Sequence, residues 1–223
     1  MTPEELVNNL LSPGLFGNSP VYHIEKTPYG DFECQSSNFN RSYFKSIIDK
    51  YYDKNGIFCE IGLFGGVNLF SLYDYCKEKN MRLIGIDPHD KIEFFNGINK
   101  NDIDNELTKT RLPLWKKFRL NIEKTIENFN LDIKYINDTS WNSHSLIEDK
   151  SLNILHIDGD HSYDGVTKDL TFFYPKMKER SIIIIDDIKW YGIRKATDDF
   201  CSKNNLKLNL DLHSSIGFIE INK

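Results

Sequence analysis

The chain has no CxxC pair. Its four cysteines, Cys34, Cys59, Cys76 and Cys201, stand far apart, which excludes a zinc ribbon or a disulfide framework and leaves free thiols as the expectation. Basic residues are not in surplus: 28 Lys and Arg against 33 Asp and Glu give a formal charge of −5, so the positive face that grips nucleic acid or an anionic membrane is missing. No apolar run reaches the roughly 18 residues of a membrane span. The start, Met1-Thr2-Pro3-Glu4-Glu5, carries neither the basic flank nor the apolar stretch of a secretion signal. These absences predict a cytoplasmic protein with no nucleic-acid or membrane partner. They leave a homo-oligomer open.

What is present suits one large core. With 39% hydrophobic residues in 223, the chain is too short for two domains with separate sites. Residues 1–38 are rich in Pro, Gly, Asn and Ser, with periodicity only at Glu4 to Leu11, and read as an N-terminal arm or lid. Residues 39–223 read as the domain. From Asn40, Phe44, Ile47, Ile48 and Tyr51 fall on one helical stripe. Short apolar runs suited to buried parallel strands follow at Ile57 to Ile61, Leu83 to Ile86, Ile133 to Ile136, Leu152 to Ile157 and Ile182 to Ile185. Helix-period segments separate them: Val67, Phe70, Tyr73 and Cys76; Trp115, Phe118, Ile122, Ile126 and Phe129; Val166, Leu170 and Phe173; Ile193, Ala196 and Phe200. Strict alternation predicts an α/β fold, a doubly wound and mostly parallel sheet with helices on both faces. Leu206 to Leu212 and Ile216 to Ile221 are too close for a crossover helix and predict an antiparallel edge hairpin. The charged stretch from Ile92 to Leu114 reads as a long functional loop.

Four motifs carry chemistry. The first is Cys59-Glu60-Ile61-Gly62-Leu63-Phe64-Gly65-Gly66-Val67-Asn68, a strand that turns on Gly62, Gly65 and Gly66 into a helix. Glycines there let a ligand lie against the backbone. The spacing is not GxGxxG, no Gly-Lys-Ser/Thr follows, and Glu60 would repel a pyrophosphate, so a cationic, phosphate-free ligand suits it better. A tight strand-to-helix turn with no ligand is the plain alternative. The second is Gly85-Ile86-Asp87-Pro88, where Asp87 ends the next strand as a ribose-binding carboxylate does; a helix cap would look the same.

The third is the sharpest. Ile157-Asp158-Gly159-Asp160-His161 and Ile185-Asp186-Asp187-Ile188 close two strands, and parallel strands end on one edge. If the two are neighbours, Asp158, Asp186 and Asp187 converge. At ~4 Å and an effective dielectric of ~20 each uncompensated pair costs ~4 kcal/mol, so the trio needs a cation or protons. All-oxygen ligands select a hard divalent ion such as Mg²⁺. Helix capping is again the alternative. Asp160 or His161 can take a proton from an acceptor hydroxyl there. His156, among apolar neighbours, reads as a satisfied sheet residue, and the remaining histidines show no ligand spacing. The fourth is Asn137-Asp138-Thr139-Ser140-Trp141, where Asp138 and Thr139 can meet an adenine edge or cap a helix. Trp190 and Tyr191 either wall a pocket or, more commonly for such residues, fill a core.

In this order the pieces resemble the class I S-adenosylmethionine-dependent methyltransferases over about residues 57–221. Glu60, Gly62, Gly65 and Gly66 look like their first motif and Asp87 like their ribose-binding acid. The resemblance implies a seven-stranded sheet of order 3-2-1-4-5-7-6 with the last strand antiparallel. Within the class, Ile157-Asp158-Gly159-Asp160-His161-Ser162-Tyr163 with Asp186-Asp187 is similar to the metal-dependent macrocin and sugar O-methyltransferases. It implies S-adenosylmethionine and a divalent cation as cofactors, Mg²⁺ on Asp158, Asp186 and Asp187, His161 or Asp160 as general base, and a small-molecule acceptor. Asn68 departs from the usual Ser or Thr, and Asp186-Asp187 departs from the Asp-Asn of catechol methyltransferases. Competing readings are a metal-free methyltransferase, a non-catalytic S-adenosylmethionine or nucleotide sensor, and a nicotinamide oxidoreductase.

Overall fold

A computed structural model describes residues 23–34, 38–90, 106–211 and 214–222. The stretch Glu4 to Leu11, residues 91–105 of the stretch expected to be a loop, and His213 lie outside them. Seven strands form one sheet: β3 (Ile57–Ile61), β4 (Arg82–Ile86), β5 (Ile133–Ile136), β6 (Leu152–Ile157), β7 (Met177–Ile185), β8 (Leu208–Leu210) and β9 (Gly217–Asn222). Their order is β5-β4-β3-β6-β7-β9-β8, parallel from β5 to β7. The pairs β7·β9 and β8·β9 are antiparallel. Counted from β3, that is the order 3-2-1-4-5-7-6 with the expected closing hairpin.

Both faces are covered, which is why the strands read as continuous apolar runs. Phe58, Leu83, Ile154, Ile182 and Ile184 meet α1 (Asn38–Tyr51) and α2 (Val67–Glu78) through Phe44, Ile48, Leu69, Phe70 and Leu72, joined by Ile122 of α3 (Glu106–Asn128). On the opposite face Cys59, Leu155, Ile157, Ile183 and Ile185 meet α5 (Tyr163–Phe173) and α6 (Tyr191–Asn204). A one-turn helix, α4 (Ser140–Ser143), precedes β6. Fully burying each such Leu, Ile or Phe contributes ~1.5–3 kcal/mol, and this is where most of the stability resides. Cys59, Cys76 and Cys201 are buried free thiols.

Three boundaries differ from the sequence expectation. Within the stretch read as irregular, β1 (His23–Thr27) and β2 (Gly30–Cys34) form an antiparallel hairpin. Thr27-Pro28-Tyr29-Gly30 is its turn, and its buried Phe32 stacks on Phe70 with centroids 4.5 Å apart. Two strands of five residues alternate too briefly to stand out from composition. Helix α3 begins at Glu106, inside the expected loop, and carries Pro113; Leu112 and Leu114 are only partly buried and Pro113 is exposed, so no apolar stripe marks this start. Strand β7 begins at Met177, five residues before its apolar run, since Lys178, Glu179 and Arg180 carry no apolar signal.

The parallel ladder runs one residue past each strand. Asp87 N–H donates to Ile136 O, Gly62 N–H to Ile86 O, Asp158 N–H to Ile61 O and Asp186 N–H to Ile157 O, at 2.8–3.2 Å. Asp87, Gly62, Asp158 and Asp186 therefore stand in one row along the carboxyl edge. No helix among the described residues is long and apolar enough to cross a membrane.

Candidate active site

The glycine turn is built by backbone that only a few residues tolerate. Gly62, Phe64 and Gly66 all have positive φ, at 86°, 49° and 82°. A Cβ on Gly62 would lie 2.0 Å from the carbonyl oxygen of Asp158, so the missing side chain lets β3 and β6 close together. Gly65 is buried beside them. Asp87 clamps this turn from the neighbouring strand: Oδ2 accepts the N–H groups of Leu63 and Phe64 at 2.8 and 3.0 Å, and Oδ1 accepts that of His89 at 3.0 Å. His89, assigned nothing from sequence, is buried with both ring nitrogens within bonding distance, Nδ1 of Tyr135 Oη and Nε2 of Phe64 O. It braces the same turn.

The loop after β5 settles into capping. Thr139 Oγ1 accepts from Asn142 N–H as the cap of α4, and Asp138 Oδ1 accepts from Thr139 N–H and from the Asn142 amide. Ser140 donates to Asp169, a fully buried carboxyl that burial pushes up to about 7 despite that bond. Ser140 stood in the fourth motif, but its pairing with Asp169 was not foreseen, since a contact across α4 and α5 leaves no local pattern.

The acidic row is different in kind. Asp158 and Asp186 converge, and the third group beside them is His156: each of the three offers a ligand atom, all within 4.8 Å of one another. Asp187 lies outside this grouping. It has a left-handed φ of 49° and turns toward His161, whose Nδ1 is 3.8 Å from its Oδ2. His161 Nε2 is 3.4 Å from Asp158 Oδ1, so the ring spans two of the expected ligands. Trp190 packs edge-on against it at 5.1 Å. Loss of water and the charge of Asp186 push Asp158 up to about 6, with His161 pulling the other way. Asp187 is also raised, by burial and then by Asp186. The His161 imidazole is raised as well; burial opposes this, and the bond to Asp158 and the surrounding carboxylates win.

Asp160 does not join them. Its Oδ1 accepts from Ser162 N–H and its Oδ2 from Ser162 Oγ, at the start of α5. Trp190 and Tyr191 are not core residues: they are 55% and 81% exposed. They follow the turn after β7, where the chain leaves the sheet.

Beneath the row lies a buried polar group that sequence reading missed. Glu60 and His156 are partners in the β3·β6 register, and each is 1% exposed. Glu60 Oε1 accepts from Asn68 Nδ2 at 2.7 Å and faces His156 Nδ1 at 3.0 Å. Burial alone would lower the imidazole pKa, but the Glu60 hydrogen bond and charge hold it near 9. Glu60 Oε2, Asn68 Oδ1 and His156 Nε2 have no hydrogen-bond partner among the described residues. The signal was present in the sequence: His156 and Asp158 are two apart in a strand and so share a face. What was hidden is that Glu60 stands opposite.

A doubly wound sheet, a glycine turn clamped by an acidic residue, and acidic groups gathered at the neighbouring strand ends define a methyltransferase-type α/β domain. A family profile described as methyltransferase domain matches residues 59–188, more than half of the chain, and the chain belongs to that family. A search of curated protein sequences gives no significant match. Among solved structures, the fold is similar to the O-methyltransferase NovP (TM-score 0.65, 13% identity, covering 85% of this chain and 82% of that one). It is also similar to the adenosylhomocysteine-bound methyltransferase PaMTH1 of Podospora anserina (0.59, 12%, 84% and 80%). The apo TDP-rhamnose 3'-O-methyltransferase CalS11, an enzyme of calicheamicin biosynthesis, is a third (0.55, 13%, 100% and 88%).

Proposed function

We propose that this methyltransferase transfers the methyl group of S-adenosylmethionine to a hydroxyl of a small molecule, a sugar or other vicinal diol, assisted by a divalent cation and by His161 as general base. The observation that carries the reading is the convergence of Asp158 and Asp186 beside the glycine turn, with His161 bridging toward Asp187. O-methyltransferases among proteins of similar fold support an oxygen acceptor.

In this reading Gly62, Gly65, Gly66, Asp138, Thr139 and Asp158 line the cofactor. Asp87 has about four lone-pair directions, of which three hold backbone N–H groups, so one remains for a ribose hydroxyl. Bound S-adenosylmethionine supplies a methyl already activated by its sulfonium, and a bound cation, Mg²⁺ or a similar ion, supplies Lewis acidity toward the acceptor oxygen. The residues fit such an ion because two carboxylates and an unpartnered, fully buried ring nitrogen face one space. Asp158 and Asp186 would hold it, and Asp187 stands beside them facing His161. His161 would receive the acceptor proton, since Asp160 is committed to Ser162. Trp190 orients the imidazole by its edge contact. Holding donor and acceptor in line removes up to ~7–11 kcal/mol of barrier in favourable cases.

The test is adenosylhomocysteine release from chelator-treated protein, with TDP-rhamnose and catechol as trial diols, during Mg²⁺ or Mn²⁺ addition. Turnover that rises with metal supports the reading. Full turnover with EDTA present supports a metal-independent methyltransferase. Calorimetry showing tighter binding of NAD than of adenosylhomocysteine would defeat both.

A further inference from the structure

Resting on the metal-assisted reading, we propose that the third protein ligand of the cation is Nε2 of His156, in place of a third carboxylate, and that the site therefore prefers Mn²⁺ or another first-row transition ion to Mg²⁺. Four independent features meet at this ring. First, it belongs to the one group among the described residues whose ligand atoms lie within 4.8 Å of one another, with Asp158 and Asp186. Second, Nδ1 is taken up by Glu60 Oε1 at 3.0 Å, which leaves Nε2 as the nitrogen free to bind. A carboxylate behind the distal nitrogen of an imidazole is the arrangement that fixes the tautomer and strengthens a metal-ligating histidine. Third, Nε2 is fully buried without a partner among the described residues, a state that is unfavourable unless something fills it. Fourth, the ring cannot turn away freely: Phe44 packs against it at 4.8 Å, and Asn68 Nδ2 bonds the same Glu60 Oε1 at 2.7 Å and fixes the carboxylate.

The geometry also explains why Asp187 is not needed in that place. Its backbone is left-handed and its carboxylate faces His161, so it serves the proton-accepting side of the site. A ligand set of one imidazole and two carboxylates changes the choice of metal. Mg²⁺ demands oxygen and binds nitrogen poorly, whereas the first-row transition ions accept imidazole readily.

Chelator-treated protein is loaded with Mn²⁺ and its electron spin-echo modulation is recorded. The expected spectrum shows ¹⁴N modulation from a bound imidazole, unchanged in His161→Gln and lost in His156→Gln. Competition titrations should give Mn²⁺ at least ~10-fold tighter binding than Mg²⁺, and Glu60→Gln should weaken Mn²⁺ by ~10–100-fold. Mn²⁺ bound with no nitrogen modulation overturns the His156 assignment and leaves the metal-assisted reading standing. Modulation that vanishes in His161→Gln does the same. Absence of any Mn²⁺ or Mg²⁺ binding overturns both. If His156→Gln does not fold, the unaltered protein and His161→Gln decide the matter.

Discussion

The carboxyl edge of this sheet has two halves built on opposite principles. Around the turn after β3, the groups that shape the backbone are answered by others: Asp87 by three backbone N–H groups, His89 at both nitrogens, Thr139 by a free amide in the first turn of its helix. Along β6 and β7, acidic groups crowd together and a histidine nitrogen is left over. The first half can be rigid before any ligand arrives. The second half carries repulsion and desolvation that the fold alone does not relieve, and such conflicts mark the places where a protein does its chemistry.

Substitutions should separate the halves. The largest effect is expected for Asp186→Asn: turnover falls by ~10³-fold or more, the several kcal/mol that a metal clamp supplies. Adenosylhomocysteine affinity by calorimetry stays nearly unchanged, and the melting temperature of metal-free protein does not drop, because a like charge has gone. A variant retaining full turnover in EDTA would remove the acidic half from catalysis. His161→Gln should lower kcat by ~10²–10⁴-fold, the usual worth of a general base, in initial-rate assays at saturating donor. Turnover within twofold of the unaltered protein would point to another base.

Stability effects come next. Glu60→Ala leaves Asn68 Nδ2 and His156 Nδ1 buried without their shared acceptor and should cost ~1–3 kcal/mol for each in urea unfolding. Asp87→Ala strips three backbone N–H groups of their acceptor and should cost ~1–3 kcal/mol; a loss below that range would mean the turn holds itself. The last case is Asp169→Asn, whose effect depends on pH. The folded-state pKa of Asp169, about 7, is raised above the ordinary 3.8, so its contribution is complete below ~pH 4 and is lost as pH climbs through about 7. The Asn variant, which mimics the protonated acid toward Ser140, should therefore gain on the unaltered protein between pH 4.5 and 7.5. Parallel denaturation profiles across that range would refute the shift.

Much of this was legible in the chain itself. The strands at Ile57–Ile61, Ile133–Ile136 and Leu152–Ile157 coincide with their apolar-rich runs, because strands covered by helices on both faces favour apolar residues; Glu60, Asn153 and His156 are buried exceptions, and Lys134 is exposed on the edge strand. The hairpin at 23–34 was missed for the opposite reason: only Phe32 among its described side chains is buried, so one strand face at most is constrained. In the site, Asp158 and Asp186 could be paired from strand ends alone. The roles of Asp160 and His161 could not be divided, since that depends on which carboxylate Ser162 happens to engage. His156 is the sheet residue its apolar neighbours suggest, but its partner, Glu60, lies 96 positions away, so their pairing and the unpartnered Nε2 left no signal in the sequence.

The sequence by itself determined the alternation of elements, the glycine turn, and the set of strand-terminal acids, since each is encoded in residues that are close along the chain and obey the periods of helix and strand. Tertiary structure alone decided which strand stands beside which, that Asp87 faces backbone, and that a buried glutamate turns a sheet histidine toward the acidic row. Those facts depend on side chains meeting across the sheet, and distances between strands are set by folding, not by spacing.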